Sequence, residues 1–234
     1  MKNTRVSVCI IAKNCADIIP VTLRWATETF EEVCVVCDPE NDDDTGDLLY
    51  SWGDRIKLKY HPFDNFSEQK NRVFEMATRD WILSVDSDEI FELDIPWDLL
   101  VQKMEKDGVE VGGFQLYNIQ KDLDHYRNPT EPKFRLMRRE HAKMDGKPVD
   151  EGIHMGNKKF FLFPYAHIHF GHIRNETALL LKGKDRIKWK DIDPAGGPGL
   201  REHGERFFVE RNKEWDKQIA EVPSFVRKAI KRYW

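Results

Sequence analysis

The feature that most constrains this chain is the alternation, over its first hundred residues, of short β-branched runs with segments of helical periodicity. The strand-like runs are residues 5–12, 33–37, 56–60 and 81–85, and the helix-like segments are residues 18–26, 48–52 and 67–77. Such alternation is typical of a parallel sheet covered by helices, because parallel strands need long crossover connections. The sequence therefore predicts an α/β fold, in which Ser67 caps the third helix.

After residue 94 the pattern changes to a mixture of strands and helices separated by charged loops. Strand-like runs fall at residues 112–119, 134–138 and 160–170, and helices are predicted at residues 96–106, 176–188 and 202–219. The last of these helices is strongly charged and follows a Gly-Gly-Pro-Gly breaker at residues 196–199. We therefore expect a mixed second half.

Composition and charge exclude several classes of function. The 234 residues carry 37 Lys and Arg against 41 Asp and Glu, so the net charge is −4 and no overall positive field attracts nucleic acid. The apolar runs are shorter than the roughly 18–20 residues that span a bilayer. We therefore expect a cytoplasmic protein, or one attached peripherally to the inner face of a membrane. The basic amphipathic segment 223–234 either contacts such a membrane or packs on the domain as a short helix.

The cysteines do not form a disulfide scaffold, because all four lie within the first 40 residues. We expect Cys9, Cys15, Cys34 and Cys37 to be reduced. The spacing of Cys34 and Cys37 is also found in zinc and redox motifs, but the pair lies inside an apolar strand-like run and no second pair follows. We favour the interpretation that these two are core residues.

Three acidic residues follow the apolar run 81–85 within four positions. Ligands of open α/β sheets bind outside the carboxyl ends of the strands, so these acids are expected to face a crevice. Asp86 and Asp88 would share one side of an extended strand, where two carboxylates suit a divalent cation, Mn²⁺ or Mg²⁺. Such a cation could hold a diphosphate. An acidic turn without a ligand is the alternative.

A second acidic segment, residues 38–44, follows the second predicted strand. Asp38 at its start is placed to accept hydrogen bonds from a ribose or a base edge. An Asx-rich turn that caps the next helix is an equal alternative. The chain contains no Gly-x-Gly-x-x-Gly and no Walker-type Gly-Lys-Ser/Thr motif, so neither a Rossmann dehydrogenase nor a P-loop kinase is supported.

Taken together, these segments resemble the GT-A glycosyltransferases of family 2, which are inverting enzymes that use nucleotide sugars. Residues 7–14 resemble the opening strand of the family, the end of which contacts the nucleotide, here through Ala12 and Asn14. Asp38 takes the place of the acid that binds the base or ribose. Asp43 and Thr45 match the tail of the following turn, whereas Glu40 and Asn41 replace its Gly and Ser.

Residues 67–72 and 77–89 are similar to the bacterial lipopolysaccharide-core glucosyltransferase-like branch of that family. The resemblance implies a GT-A fold, with a Rossmann-like, mostly parallel sheet flanked by helices. It implies one domain over residues 1–222, with a nucleotide-sugar half (1–94), an acceptor-side half (95–222) and a C-terminal segment (223–234). It also implies that Asp86, Ser87 and Asp88 contact the ribose, the cation and the diphosphate, and that Lys70 contacts a phosphate.

Inversion is a direct displacement, so the acceptor hydroxyl needs a general base from the second half of the chain. Residues 147–154 resemble the family's Val-His-Glu segment, and on that match Glu151 is the base, with Asp150 as the fallback. Asp150 stands where the family has His. A solvated acidic loop is the alternative. For Arg135, Arg138 and Arg139 we slightly favour an exposed strand face over phosphate contacts.

Three histidines occur within six positions at residues 167–172. GT-A enzymes often place a late histidine on the metal or diphosphate, and we expect His169 in that role. A rival hypothesis is a zinc hydrolase that uses His167, His169 and an acid such as Glu151 as ligands. That hypothesis leaves the Asp-x-Asp segment unexplained.

The resemblance thus implies an inverting transferase of a single sugar, helped by Mn²⁺ or Mg²⁺. By the same resemblance, the expected donor is a UDP- or GDP-linked sugar, and the expected acceptor is a hydroxyl of a glycan or glycolipid in surface glycan or lipopolysaccharide-type synthesis. A zinc hydrolase, a nucleotidyltransferase and a non-catalytic glycan-binding module are the alternatives.

Overall fold

A computed structural model shows an eight-stranded sheet at the centre of the protein. Residues 2–127, 130–148, 151–174, 176–186, 206, 209, 211, 213 and 218–234 are described. The strands are β1 (Asn3–Ala12), β2 (Phe30–Cys37), β3 (Lys57–Tyr60), β4 (Trp81–Asp86), β5 (Glu89–Phe91), β6 (Val111–Asn118), β7 (His125–Arg127), β8 (Glu131–Arg138), β9 (Phe160–His169) and β10 (Ile219–Glu221). The helices are α1 (Ile19–Thr29), α2 (Thr45–Ser51), α3 (Phe66–Glu75), α4 (Trp97–Lys106), α5 (Glu176–Arg186) and α6 (Ser224–Tyr233).

The strand order of the sheet is β3-β2-β1-β4-β8-β6-β9-β5, and β7 pairs with β10 in a separate two-stranded sheet. β1 runs parallel to β2 and β4, and β2 runs parallel to β3. β8 is antiparallel to both β4 and β6, and β9 is parallel to β6 but antiparallel to β5. The predicted α/β class, with a mostly parallel sheet flanked by helices and a mixed second half, is confirmed.

Helices cover both faces of the sheet. On one face α1, α4 and α6 share an apolar core with strand residues such as Ile10 and Val35. On the other face α3 and Met144 pack with residues such as Cys9 and Cys34. Because both faces are buried, β1 and β2 are apolar along most of their length, as is usual for parallel strands.

All four cysteines are buried and none is in a disulfide. Cys9 and Cys34 lie opposite each other in the parallel ladder between β1 and β2, and Cys37 is the last residue of β2. The interpretation of Cys34 and Cys37 as core residues is confirmed.

The predicted serine cap of α3 is wrong. The N-cap is Asn65, the side-chain oxygen of which accepts a hydrogen bond from the Glu68 N–H at 2.9 Å. Ser67 lies inside the first turn, and its hydroxyl donates to the Lys147 carbonyl at 2.6 Å. Asn and Ser are both good capping residues, and a tertiary contact to the second half of the chain decides where Ser67 lies.

The C-terminal segment packs on the protein as α6. Its buried side chains are Val226, Ala229, Ile230 and Tyr233. These belong to the same apolar core as α1 and α4, so the structure favours packing over membrane contact for the apolar side of this helix. No helix in the described ranges is long and apolar enough to cross a membrane.

Parts of the predicted second half lie outside the described residues. These parts are the breaker at residues 196–199, most of the charged helix at residues 202–219 and the last two residues of the helix at residues 176–188. The described part of the latter helix is α5. Residue 219 begins β10 and is not the end of a helix, so the prediction is wrong at that position.

A buried carboxylate joins the first three strands at their amino-terminal side. Glu32 of β2 accepts hydrogen bonds from the Ser7 hydroxyl of β1 at 2.6 Å and from the Lys57 ammonium of β3 at 2.7 Å. It also accepts the Thr78 N–H at 2.7 Å and the Thr78 hydroxyl at 2.6 Å. Burial alone would raise the pKa of Glu32, but these hydrogen bonds from Lys57, Ser7 and Thr78 lower it to about 2.

The pKa of Glu32 is depressed in the folded state. Its carboxylate therefore stabilises the fold at pH values above its unfolded pKa of roughly 4.3. This stabilisation is lost as the pH falls toward the folded pKa. We expect Glu32→Gln to flatten the loss of stability between about pH 5 and pH 3. Free energies of unfolding from urea titrations across this range measure the slope. The exposed Glu31→Gln control should keep the wild-type slope. If the stability of Glu32→Gln fell with pH as steeply as that of the wild type, Glu32 would not be the carboxylate with the depressed pKa.

Candidate active site

The carboxyl ends of β1, β2 and β4 meet at one edge of the sheet. In the ladders, Ala12 lies beside Cys37 and Ile11 lies beside Asp86. The residues after these strands are therefore neighbours: Asn14 after β1, Asp38 after β2, and Ser87 and Asp88 after β4. This is the edge at which open α/β sheets bind ligands.

A cavity of about 660 Å³ opens along this edge, within the size range of small-molecule sites. The sequence-predicted residues that line it are Ala12, Asn14, Asp86, Ser87, Asp88, Glu151 and His169. Asp38 and Lys70 are buried beside lining residues, with 2% and 1% of their surface exposed. Asp150 lies outside the described residues.

The charge of the cavity differs from that of the whole chain. The cationic side chains that line it, among the described residues, are Lys13, Arg127, Lys133, Arg135, Arg174, Lys182 and Arg211. The acidic ones are Asp86, Asp88, Glu89, Glu131 and Glu151. A chain with a net charge of −4 thus concentrates cations around one concave site, which suits a polyanion such as a diphosphate.

Lys70 is a buried cation that joins the two halves of the chain. Its ammonium lies 2.7 Å from Oδ1 of Asp86 and 2.6 Å from Oε1 of Glu151. Burial alone would lower the pKa of Lys70, but the Asp86 and Glu151 carboxylates raise it above its usual value. Lys70 therefore stays charged and holds two carboxylates together. This position does not favour the predicted direct contact of Lys70 with a phosphate.

Arg135 and Glu89 extend this network of buried charges. The Arg135 guanidinium donates to Oδ2 of Asp86 at 3.0 Å and to Oε1 of Glu89 at 2.6 Å. Oε2 of Glu89 accepts the Asp86 N–H at 2.9 Å and lies 3.0 Å from Nε2 of His167. Burial alone would raise the pKa of Glu89, but Arg135 and His167 lower it well below its usual value. Both side-chain oxygens of Asp86 are thus bound by protein cations.

The prediction of an exposed arginine strand face is wrong for Arg135, whereas Arg138 is half-buried at the end of β8 and Arg139 is exposed in the turn that follows the strand. The Arg135 side chain is 12% exposed and lines the cavity. Arg138 pairs instead with Glu105, and the Arg139 guanidinium donates to the Arg79 carbonyl, both in exposed contacts. The ladder between β8 and β6 skips residue 135 between Phe134 and Leu136, so simple strand alternation does not predict the direction of the Arg135 side chain.

Asp88 and His169 lie on either side of a small space. Oδ2 of Asp88 is 3.5 Å from Nε2 of His169 and 3.5 Å from Nζ of Lys182. Burial alone would raise the pKa of Asp88, but His169 and Lys182 lower it well below its usual value. Gly171 keeps the space open, because a β-carbon at this position would collide with both Nε2 of His169 and Oδ2 of Asp88.

The tautomer of His169 follows from its other nitrogen. Nδ1 lies 2.8 Å from Oδ1 of Asn118. Since an amide oxygen only accepts, Nδ1 is assigned a hydrogen, which leaves Nε2 as the ring nitrogen that faces Asp88. A carboxylate oxygen and an imidazole nitrogen beside an open space form a donor pair that fits a divalent cation, with Asn118 orienting the ring.

Asn14 ties the loop after β1 to the acidic loop after β2. Its backbone has a left-handed φ of 47°, which Asn adopts more readily than most residues. Its N–H donates to Oδ1 of Asn41 at 2.9 Å, and its own Oδ1 accepts the Asp42 N–H at 2.7 Å. The residue therefore shapes the wall of the cavity through the backbone of both loops.

Asp38 lies in the Asx turn that the sequence left open as an alternative. Its Oδ1 accepts the Glu40 N–H at 2.8 Å, and its Oδ2 pairs with the Lys13 ammonium at 2.7 Å. Lys13 lines the cavity and Asp38 does not, so Asp38 acts on the cavity through the position of Lys13. The turn does not exclude the predicted nucleotide contact.

Several lining residues carry no signal in the sequence. Arg174 donates to the Asn14 carbonyl at 2.7 Å and to Oδ1 of Asp17 at 2.6 Å, and Lys182 reaches Asp88 from α5. Phe63 and Phe66 lie at the cavity with their ring centroids 4.9 Å apart. Glu89 and Arg135 do carry a signal, since Glu89 belongs to the acidic run and Arg135 to the arginine-rich strand, for which phosphate contacts are the alternative interpretation.

The structure does not assemble the zinc site of the hydrolase hypothesis. His167 is fully buried and stacks on Phe91, with ring centroids 4.7 Å apart, whereas His169 lines the cavity. In the part of the chain that the structure describes, no three His, Cys, Asp or Glu side chains converge as a ready-made metal cluster.

The fold and the cavity together define an α/β protein with a ligand site at the carboxyl edge of a mostly parallel sheet. The chain belongs to glycosyl transferase family 2, since the model of the family described as "Glycosyl transferase family 2" matches residues 7–165. The predicted family is thereby confirmed.

Two curated relatives are similar along most of this chain. They are the SPbeta prophage-derived glycosyltransferase SunS of Bacillus subtilis (strain 168) and the glycosyltransferase SunS of Bacillus phage SPbeta. Each is 31% identical over 231 residues, which is 96% of this chain and 53% of the relative. The chain thus spans about half the length of the curated relatives it matches.

Solved structures of S. aureus TarS are more distant. A structure of its residues 1–349 is 12% identical, with a TM-score of 0.48 over 93% of this chain and 73% of that one. A complex of the same protein with UDP-GlcNAc is 13% identical, with a TM-score of 0.47 over 92% of this chain and 73% of that one. Similarity at this level supports no inference about the ligands of this chain.

Replacing Lys70 tests the buried charge network. Lys70→Met should lower the free energy of unfolding by about 3–5 kcal/mol, because it leaves the Asp86 and Glu151 carboxylates without their shared counter-charge. Urea titration near neutral pH measures the change. As a control, Lys103→Met breaks an exposed ion pair with Asp107 and should cost less than about 1 kcal/mol. Equal losses in the two variants would contradict the network.

Proposed function

We propose that this chain is an inverting glycosyltransferase that moves a single sugar from a nucleotide-diphosphate sugar to a hydroxyl acceptor. The observation that carries the proposal is the cavity at the carboxyl edge of the sheet, where Asp88, His169 and Glu151 lie among seven cationic side chains of the described residues. Membership of glycosyl transferase family 2 supports the same reaction class.

In this proposal, the donor binds beside the carboxyl ends of β1 and β4. Ala12, Asn14 and Ser87 line the cavity there, and we assign them to the nucleotide sugar. Asp38 supports this wall through Lys13. A UDP- or GDP-linked sugar carries a diphosphate, which matches the concentration of cationic groups around this cavity.

Asp88 and His169 are the residues of this proposal that would hold a divalent cation, Mn²⁺ or Mg²⁺. They fit it because an oxygen and a nitrogen lie beside a space that Gly171 keeps free. Asp86 fits less well, since Lys70 and Arg135 bind its two oxygens, and we assign it to positioning of the site. When bound, such a cation would neutralise negative charge on the leaving diphosphate.

Glu151 is the proposed general base. Its side chain is 11% exposed and lines the cavity, and the Lys70 ammonium holds its Oε1 at 2.6 Å. The acceptor oxygen forms a bond to the anomeric carbon while the bond from that carbon to the diphosphate oxygen breaks. The acceptor proton passes to the Glu151 carboxylate, and the nucleoside diphosphate leaves with the bonding electrons.

The acceptor in this proposal approaches from the second half of the chain. Leu116, Asn118, Glu131 and Lys133 of β6 and β8 line the cavity on that side. This mixture of apolar, amide and charged groups suits a hydroxyl-rich molecule with some charge, such as a glycan or glycolipid. A role in surface glycan or lipopolysaccharide-type synthesis is part of the proposal.

Asp88→Asn should remove metal-dependent binding of the donor nucleotide. In the wild type, UDP or GDP with Mn²⁺ should raise the melting temperature by roughly 5–10 °C at about a hundredfold excess over Kd, because the ligand binds only the folded state. The variant should show little Mn²⁺-dependent shift in the same thermal-shift screen. Asp94→Asn, an exposed aspartate paired with Lys228, is the control. An undiminished shift in Asp88→Asn would remove Asp88 from the cation site.

Glu151→Gln should retain nucleotide binding and lose transfer. The amide cannot take a proton, so kcat should fall by about 10²–10⁴-fold while the affinity for the nucleotide stays near that of the wild type. Release of nucleoside diphosphate from the donor identified by the screen, with water in place of the acceptor, measures turnover. Glu140→Gln, on an exposed turn, is the control. Normal turnover in Glu151→Gln would move the base to Asp150 or to another group.

A further inference from the structure

Lys182 of α5 occupies the side of Asp88 that the proposed cation needs. Its ammonium lies 3.5 Å from Oδ2 of Asp88, the same oxygen that lies 3.5 Å from Nε2 of His169. The Lys182 side chain is 24% exposed, whereas that of Asp88 is 8% exposed. A positive charge of the protein thus stands beside the donor pair that fits a divalent cation.

The contact of Lys182 with Asp88 is longer than the contacts that Arg174, the other cationic residue near Asp88, makes with Asp17 and Asn14. The Arg174 guanidinium is anchored by the Asp17 carboxylate and the Asn14 carbonyl. Lys182 has a flexible four-carbon stem, and its 3.5 Å separation from Asp88 exceeds the roughly 2.7–2.9 Å of a tight charge-assisted hydrogen bond. The contact between Lys182 and Asp88 is therefore weaker than a tight charge-assisted hydrogen bond and easier to exchange for another.

A divalent cation at Asp88 would repel this ammonium, because two positive charges within a few ångströms raise each other's energy. Lys182 lines the same cavity as the proposed diphosphate site, so the nearest new anion is the diphosphate that arrives with the cation. An ammonium is a compact charge that binds phosphate oxygens without a fixed orientation.

We propose that Lys182 takes the place of the divalent cation at Asp88 in the ligand-free protein and moves onto the diphosphate when cation and nucleotide bind together. The inference rests on the proposed function, because it assigns Asp88 to the cation of a nucleotide complex. It makes Lys182 a residue that disfavours binding of the cation alone and favours binding of the nucleotide with it.

The test is a pair of titrations on Lys182→Met. Mn²⁺ alone, followed by electron paramagnetic resonance of the free ion, should bind about two- to fivefold more tightly than in the wild type, because the competing ammonium is gone. UDP or GDP in saturating Mn²⁺, followed by calorimetry, should bind about tenfold more weakly, because a charge-assisted contact is lost. A residue with only a structural role would not change the two affinities in opposite directions.

Two further variants complete the experiment. Lys182→Arg should keep the nucleotide affinity within about threefold of the wild type, since it keeps the positive charge. Lys228→Met, which breaks an exposed ion pair with Asp94, should change neither affinity. If the wild type binds both ligands and Lys182→Met changes both affinities in the same direction or neither of them, the inference fails and the proposed function stands. If the wild type binds neither Mn²⁺ nor either nucleotide, both fail.

Discussion

A buried ammonium group that needs two counter-charges determines how the two halves of this protein meet. Lys70 on α3 draws its carboxylates from different parts of the chain, Asp86 from the end of β4 and Glu151 from the segment before β9. Unpaired, that charge would be costly in the interior, so the halves are constrained to bring both acids to it. Arg135 and Glu89 repeat the arrangement on the other side of Asp86. The cavity therefore depends on pairing of charges as well as on apolar packing.

Much of the fold and the general place of the site follow from local patterns. Apolar strand-like runs separated by helix-like segments are sufficient to predict parallel strands, because a helix supplies the long crossover that parallel neighbours need, whereas antiparallel neighbours need only a short turn. Once β1 and β4 are parallel, the residues that follow them must lie together, and this is why Asp86 and Asp88 could be predicted at the ligand edge. His169 could be chosen over His167 only through a family resemblance, since one strand offers both.

The details that the sequence does not reveal are those decided by contacts across long separations. Nothing near Lys70 indicates that its ammonium is buried under two carboxylates and does not line the cavity. Position 65 caps α3 while Ser67 turns to the Lys147 carbonyl, a partner 80 positions away. Lys182 belongs to a segment that the sequence predicts only as a helix, and its approach to Asp88 depends on how α5 lies over the sheet.

The four buried thiols can report local opening of the sheet. A cysteine reacts as its thiolate and only when reagent can reach it, and burial raises the pKa of Cys15 to about 12 and that of Cys37 to about 11. Alkylation must therefore wait for transient local opening of β1, β2 and the loop between β1 and α1. Cys37 ends its strand next to the cavity. The alkylation rate of each thiol, compared with and without a bound ligand, would therefore measure how far from the cavity a ligand suppresses local opening of the sheet.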